Sequence, residues 1–203
     1  MPTPSTDMLA EKTKNALLTI AVRSIQYTLE HREIWSPDIS SFSDPGLLEE
    51  GASFVTLKKR GELRGCIGSL EAYQALVLDV AKNAHSAAFR DPRFQALSPS
   101  ELEGLEISIS VLTEPEAMEF SSEEEVLKQI RPGVDGLILE DDSHRGTFLP
   151  AVWESLPRKE DFWHQLKLKA GLPAHYWSAH LRVFRYETIS FGSSVKEILN
   201  SLV

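Results

Sequence analysis

Leu63-Arg-Gly-Cys-Ile-Gly68 is the stretch whose residue types and spacing can do chemistry. Cys66 is the single cysteine of the chain, and Arg64 stands two residues before it. In an extended strand, residues two apart project on one face. A free thiol titrates near about 8.5 and is only slightly ionised at neutral pH. A guanidinium beside it favours the thiolate and grips an anionic substrate by paired hydrogen bonds. Gly65 and Gly68 weaken a strand, so they need a reason, and one is close approach of a ligand or of another backbone. The stretch reads as a nucleophile site. Cys66 and Arg64 are its catalytic candidates, and Gly65 and Gly68 are points where a substrate approaches. A second reading stays open: a free cysteine packs as a small hydrophobe, the glycines serve a bulge, and Arg64 is a solvated edge charge.

The elements that must position these residues follow from periodicity. Ser5 or Thr6 caps a first helix carrying Leu9, Leu17, Ile20, Ile25 and Leu29 to about Glu30. Residues 35–51, rich in Ser, Pro, Asp and Gly, read as loop. Ala52 to Gly68 reads as a β-hairpin turning at Lys59-Arg60-Gly61. Tyr73 to Phe89 reads as a helix with one apolar stripe, and with Asp79, Asn83, Ser86 and Arg90 on another face. Asp91-Pro92 stops it. Leu105 to Leu112 alternates as a strand, with Ile107, Ile109 and Val111 facing one way and Ser108 and Ser110 the other. A short helix follows from Ser121 to Ile130, with Ser121 and Glu124 as its capping pair. A second hairpin turns around Asp141 to Arg145, a helix runs from Glu160 to Ala170 with Gly171 behind it, one strand spans Leu181 to Phe191, and a helix closes the chain from Val195. Hairpins mixed with helices, without a βαβ rhythm, give an α+β class with mainly antiparallel sheets packed with helices.

Composition bounds the rest. The chain has 203 residues, 42% of them hydrophobic, enough for one domain with a real core or two small lobes. No run of about 18 apolar residues and no secretory n- and h-region are present, so a cytoplasmic location without membrane span is expected. One cysteine excludes an internal disulfide and any multi-cysteine zinc or iron–sulfur site. Asp141, Asp142 and His144 share a turn and His175 and His180 are five apart, but no His-Glu-x-x-His occurs, so no metal is expected. Neither a Gly-x-Gly-x-x-Gly nor a Walker sequence occurs, and no cofactor is expected. The formal charge is −9, concentrated in an acidic block over residues 101–142. Lys58-Lys59-Arg60 is the only basic run, which speaks against a nucleic-acid binder. Trp153, Phe162, Trp163 and Trp177 load the last third with aromatics, read as core.

The hexapeptide Leu63-Arg-Gly-Cys-Ile-Gly68 resembles the signature of the AMMECR family, named after the AMME-syndrome candidate protein; bacterial members are often called AmmeMemoRadiSam system protein A. The likeness continues through Asn83-Ala84, Ala87 to Phe94, Leu105 to Leu112, Gly133 to Gly136, His144 to Pro150 and Lys169 to Leu172, in order, over roughly residues 10–190. It implies a single AMMECR-type α+β domain over residues 1–203, with a larger and a smaller lobe in one compact unit. It also implies association with Memo-like and radical-SAM partner proteins. The radical-SAM cluster would belong to the partner, since this chain lacks the cysteines. The matching blocks add Asn83, Asp91, Arg93 and Arg145 as substrate-binding candidates. His85 and His144 are the positional candidates for a base to the thiol.

The expected function is a small thiol-dependent enzyme whose inter-lobe cleft presents Cys66 beside Arg64 to a small anionic or carbonyl-bearing substrate. A non-catalytic binding or adaptor protein, with Cys66 as packing, is the alternative. A nucleic-acid-associated regulator is the third reading.

Overall fold

A computed structural model describes residues 9–201. The proposed Ser5 or Thr6 cap lies outside the described residues. Two compact units divide the chain. One takes residues up to Leu112 and from Ile189 onward, and the other is Thr113–Thr188.

In the first unit a four-stranded sheet has the order β2-β1-β3-β8, from β1 (Ser53–Lys59), β2 (Glu62–Gly68), β3 (Leu105–Leu112) and β8 (Thr188–Ser194). Its helices are α1 (Glu11–His31), α2 (Pro45–Leu48), α3 (Leu76–Phe89) and α6 (Val195–Asn200). Strand alternation decides which face they cover. Val55, Leu57, Ile107, Ile109 and Val111 are buried and pack with Leu17, Ala21, Ile25, Val77, Val80 and Ala84. Phe54, Thr56, Ser108 and Ser110, on the other face, are only half-buried.

Two residues of the polar face expected for α3 are not solvated. Asp79 and Asn83 are buried. The Asp79 carboxylate accepts from Ser53 N at 2.8 Å, Ser53 Oγ at 2.7 Å and Ser69 Oγ at 2.7 Å. Asn83 Nδ2 donates to Ser53 O at 3.0 Å and Asp79 Oδ2 at 2.9 Å. These bonds satisfy groups at the start of β1 and just past the end of β2, so they fix the open end of the hairpin against α3. α3 also begins later than its apolar stripe. Residues 73–75 stay outside the helix because Gly51 N donates to Gln74 O at 3.1 Å and Leu76 N to Glu49 O at 2.9 Å.

The second unit carries the sheet β4-β7-β5-β6, from β4 (Glu116–Ala117), β5 (Gly136–Asp141), β6 (His144–Phe148) and β7 (Arg182–Tyr186), with helices α4 (Glu123–Gln129) and α5 (Lys159–Lys169). Trp153, Phe162 and Trp163 are core, as expected, with Trp153 and Phe162 stacked 3.8 Å apart. Trp177 departs from that expectation and is 37% exposed. The α4 cap sits one residue later than read: Ser122 Oγ accepts from Glu125 N, while the Glu125 carboxylate takes Ser121 N at 2.7 Å and Ser121 Oγ at 2.9 Å. The strand expected over 181–191 divides at Glu187, β7 joining one sheet and β8 the other. Thr113 takes both main-chain groups of Glu187, with Thr113 N donating to Glu187 O and Glu187 N donating to Thr113 Oγ1, each at 2.9 Å. A ladder cannot continue through a residue so engaged. Among the described residues no helix is long and apolar enough to cross a membrane.

Gly65 sits where a Cβ would overlap the carbonyl of Ala87 in α3, whereas Gly104 faces open space. Gly65→Ala is therefore expected to lower the unfolding free energy by about 2–3 kcal/mol, and Gly104→Ala to change it by less than about 0.5 kcal/mol. Urea denaturation of both variants checks this.

Candidate functional site

The β1–β2 hairpin turns through Arg60 (φ 55°) and Gly61 (φ 82°), both left-handed, the geometry that matches the twist of paired strands. β2 is the outer strand of its sheet. Thr56 stands opposite Cys66, with Leu57 opposite Gly65 and Val55 opposite Ile67. Gly65 faces α3, so the Cys66 side chain lies on the opposite face of the sheet.

Edge strands leave outward N–H and C=O groups without a strand partner. At Cys66 side chains supply the partners. The Cys66 amide donates to Asp91 Oδ2 at 2.9 Å, and Arg93 Nη2 approaches Cys66 O at 3.5 Å. Asp91 in turn accepts from Arg93 N at 3.1 Å, Nε at 3.0 Å and Nη2 at 2.7 Å. Asp91 is buried, and the Arg93 side chain is 54% exposed. The Arg93 fork, with the Cys66 and Arg93 amides, holds the Asp91 carboxyl well below the ordinary carboxylate range. The Arg93 guanidinium is raised chiefly by Asp91, and Cys66 contributes to the same field.

Cys66 is half-buried, and its sulfur accepts a hydrogen bond from Thr56 Oγ1 at 3.2 Å. Ser108 pairs with Thr56 on the far side, and Gly192 lies against Ser108. A row of Cys66, Thr56, Ser108 and Gly192 thus crosses the sheet. The next row carries Phe54, Ser110 and Ser190, with the two serine hydroxyls 2.8 Å apart. This hydroxyl row was missed as a feature of the site. The alternation of Ser108 and Ser110 carried the signal, but their alignment with Cys66 depends on strand order.

Arg64 takes another partner than the thiol. The register shifts between Leu57 and Lys58, so Arg64 is an extra residue without a partner across the hairpin. Such a bulge re-aims its side chain and cancels the two-residue argument that joined it to Cys66. Arg64 instead donates to Glu101 through Nε at 3.1 Å and Nη2 at 3.2 Å. That fork, Ser98 N and Lys59 hold the Glu101 carboxyl far below its usual range. The Phe94 ring lies within 5.9 Å of the Arg64 guanidinium and 5.4 Å of that of Arg93.

Other candidates are also reassigned. Gly65 admits the backbone of α3, and a Cβ at Gly68 would overlap the Phe54 ring, so packing explains both glycines as points of close approach. Asn83 is consumed in the buried Ser53–Asp79 network and presents no free amide to a substrate. Arg145 pairs with Glu140 in the second unit at 3.2 Å. His85 is directed at Thr28 of α1, with Nδ1 and Oγ1 3.0 Å apart, on the helix side of the sheet from Cys66. It is not a base for this thiol. His144 is exposed on the second hairpin.

The AMMECR1 family model matches residues 18–191. The chain belongs to the AMMECR1 family. A protein of Methanothermobacter thermautotrophicus is 41% identical over 144 residues, 68% of this chain and 73% of that one. A protein of Saccharolobus solfataricus is 36% identical over 190 residues, covering 90% of this chain and 82% of the relative. The crystal structure of an uncharacterized protein from Pyrococcus horikoshii superposes with a TM-score of 0.77 at 32% identity, covering 88% of this chain and 90% of that one. The family resemblance read from the Cys66 hexapeptide and the α+β class are therefore correct.

In this AMMECR1-family chain the depressed Asp91 and Glu101 carboxyls link folding to acid. Their stabilisation is fully present above their unfolded-state range and is lost as pH falls through it toward the lower folded values. Asp91→Asn is expected to cost about 2–4 kcal/mol at pH 7 by leaving the Arg93 fork without its anion. It should also flatten the decline of the urea midpoint below about pH 5. Urea titrations at stepped pH read both effects.

Proposed function

We propose that the Cys66 face of the first unit is a thiol site for a small anionic, carbonyl-bearing molecule. The observation that carries this reading is the Asp91 clamp. One buried carboxylate takes the Cys66 amide and the Arg93 fork together, so the guanidinium is held beside the residue whose sulfur would react. Arg93 takes over the role first given to Arg64. Its half-exposed side chain can meet a substrate anion while Asp91 fixes its other edge. The Thr56 hydroxyl donates to the sulfur and holds it on this face. Ser108 extends the face beyond Thr56 and adds a further hydroxyl for a polar substrate.

On this reading the sulfur adds to the substrate carbonyl carbon. The C–S bond forms as the carbonyl π bond opens, and the thiol proton passes through solvent to the carbonyl oxygen. No redox partner is needed. His85 lies on the helix side of the sheet, so the reading rests on Arg93 and Thr56 as the groups beside Cys66.

Iodoacetamide alkylation tests the reading. At pH 7, Arg93→Gln is expected to slow labelling of Cys66 about tenfold and Thr56→Val about threefold. Both differences should vanish at pH 10, where ordinary thiols are ionised. Equal labelling of wild type and Arg93→Gln at pH 7 overturns the thiol reading and leaves the face as a binding surface only.

A further inference from the structure

A cavity of about 400 Å3 opens in the first unit between the end of α1 and the end of α3. Thr28, Leu29, Arg32, His85, Phe89 and Arg90 line it. The thiol site makes no use of any of them. His85 is 6% exposed, and its Nε2 atom is buried without a hydrogen-bond partner. Buried polar atoms are almost always paired, so this one calls for an explanation.

The proton on the ring can be assigned from its neighbours. Thr28 Oγ1 has one hydrogen and sits 2.9 Å from Glu33 O and 3.2 Å from Ser24 O, both of which only accept. Its hydrogen is committed to a carbonyl, so at 3.0 Å it must accept from His85 Nδ1–H. That leaves Nε2 as a bare lone pair. Burial, with Arg90 beside it, also lowers the affinity of the ring for a second proton. What is missing at Nε2 is therefore a donor. The rim supplies the complementary charge. Arg32 and Arg90 are exposed, and neither guanidinium has an ion-pair partner among the described residues. They stand against one acid, Glu33. Arg32 holds a left-handed conformation (φ 60°) that ordinarily falls to glycine or asparagine at a helix end. Leu29 and Phe89 supply apolar wall.

We infer that this cavity binds a small organic anion whose apolar body lies on Leu29 and Phe89, whose carboxylate meets Arg32 and Arg90, and whose hydroxyl donates to His85 Nε2. The test is calorimetric titration of the full chain at pH 7.5 with three compounds. 4-Hydroxyphenylacetate carries both handles, phenylacetate lacks the hydroxyl, and 4-hydroxyphenethyl alcohol lacks the anion. The first is expected to bind at least about fivefold more tightly than either of the others. Long-range 1H–15N spectra should show His85 protonated at Nδ1 in the free protein, with the ε2 nitrogen shifting when the first compound is added. His85→Phe is expected to erase the preference for the hydroxyl. Arg32→Gln/Arg90→Gln, confined to the exposed rim, is expected to erase the preference for the carboxylate even if the His85 variant does not fold. Three equal affinities, no binding up to about 10 mM, or a free His85 protonated at Nε2 each overturns the inference.

Discussion

Asp91 lies where the end of a helix meets the edge of a sheet, and one carboxylate answers both. Without it, the Cys66 amide would lack its partner and the Arg93 fork would have no anion. A strand edge is ordinarily blunted by charge, by proline or by a covering segment. Here the covering segment also delivers a guanidinium, so protecting the edge and building the site are one arrangement. The sequence makes this possible because Asp91-Pro92 ends α3 just as the chain comes alongside β2.

The clamp needs the hairpin to stay in register, and two further contacts see to that. Ala87 leaves no room for a side chain at position 65, which brings β2 close to α3. The Asp79–Asn83 pair takes hold of Ser53 and Ser69 at the other end. Both belong to the same helix that delivers Asp91, so α3 governs the position of β2 along its length. The bulge then removes Arg64 from the row and leaves it to Glu101, which steadies the turn of chain leading into β3.

Much of this is legible in the residues. The hairpin, the apolar stripe of α3, the β3 alternation and the unusual character of the Cys66 stretch follow from local pattern, because each depends on neighbours a few positions away. The guanidinium that serves Cys66 does not. Choosing Arg93 over Arg64 depends on a bulge, which has no periodic signature, and on the path of the chain after Asp91. Asp79 and Asn83 read only as a polar face of α3, because periodicity reports polarity, not whether a partner waits on another element. The division at Glu187 is hidden for a similar reason. Arg182 to Ser194 is continuously strand-like, and only the engagement of Glu187 by Thr113 decides that two sheets share it.

That division has a bearing on how the chain is assembled. β3 and β8 are neighbours in the first sheet, and Ser110 meets Ser190 while Ser108 meets Gly192, so the two run antiparallel. Extending that register brings Leu112 beside Thr188, where an everyday β-meander would need only a tight turn. All of Thr113–Thr188 stands in place of that turn. The smaller unit is thus a cassette, set into the chain between two neighbouring strands of the ladder that carries the sulfur.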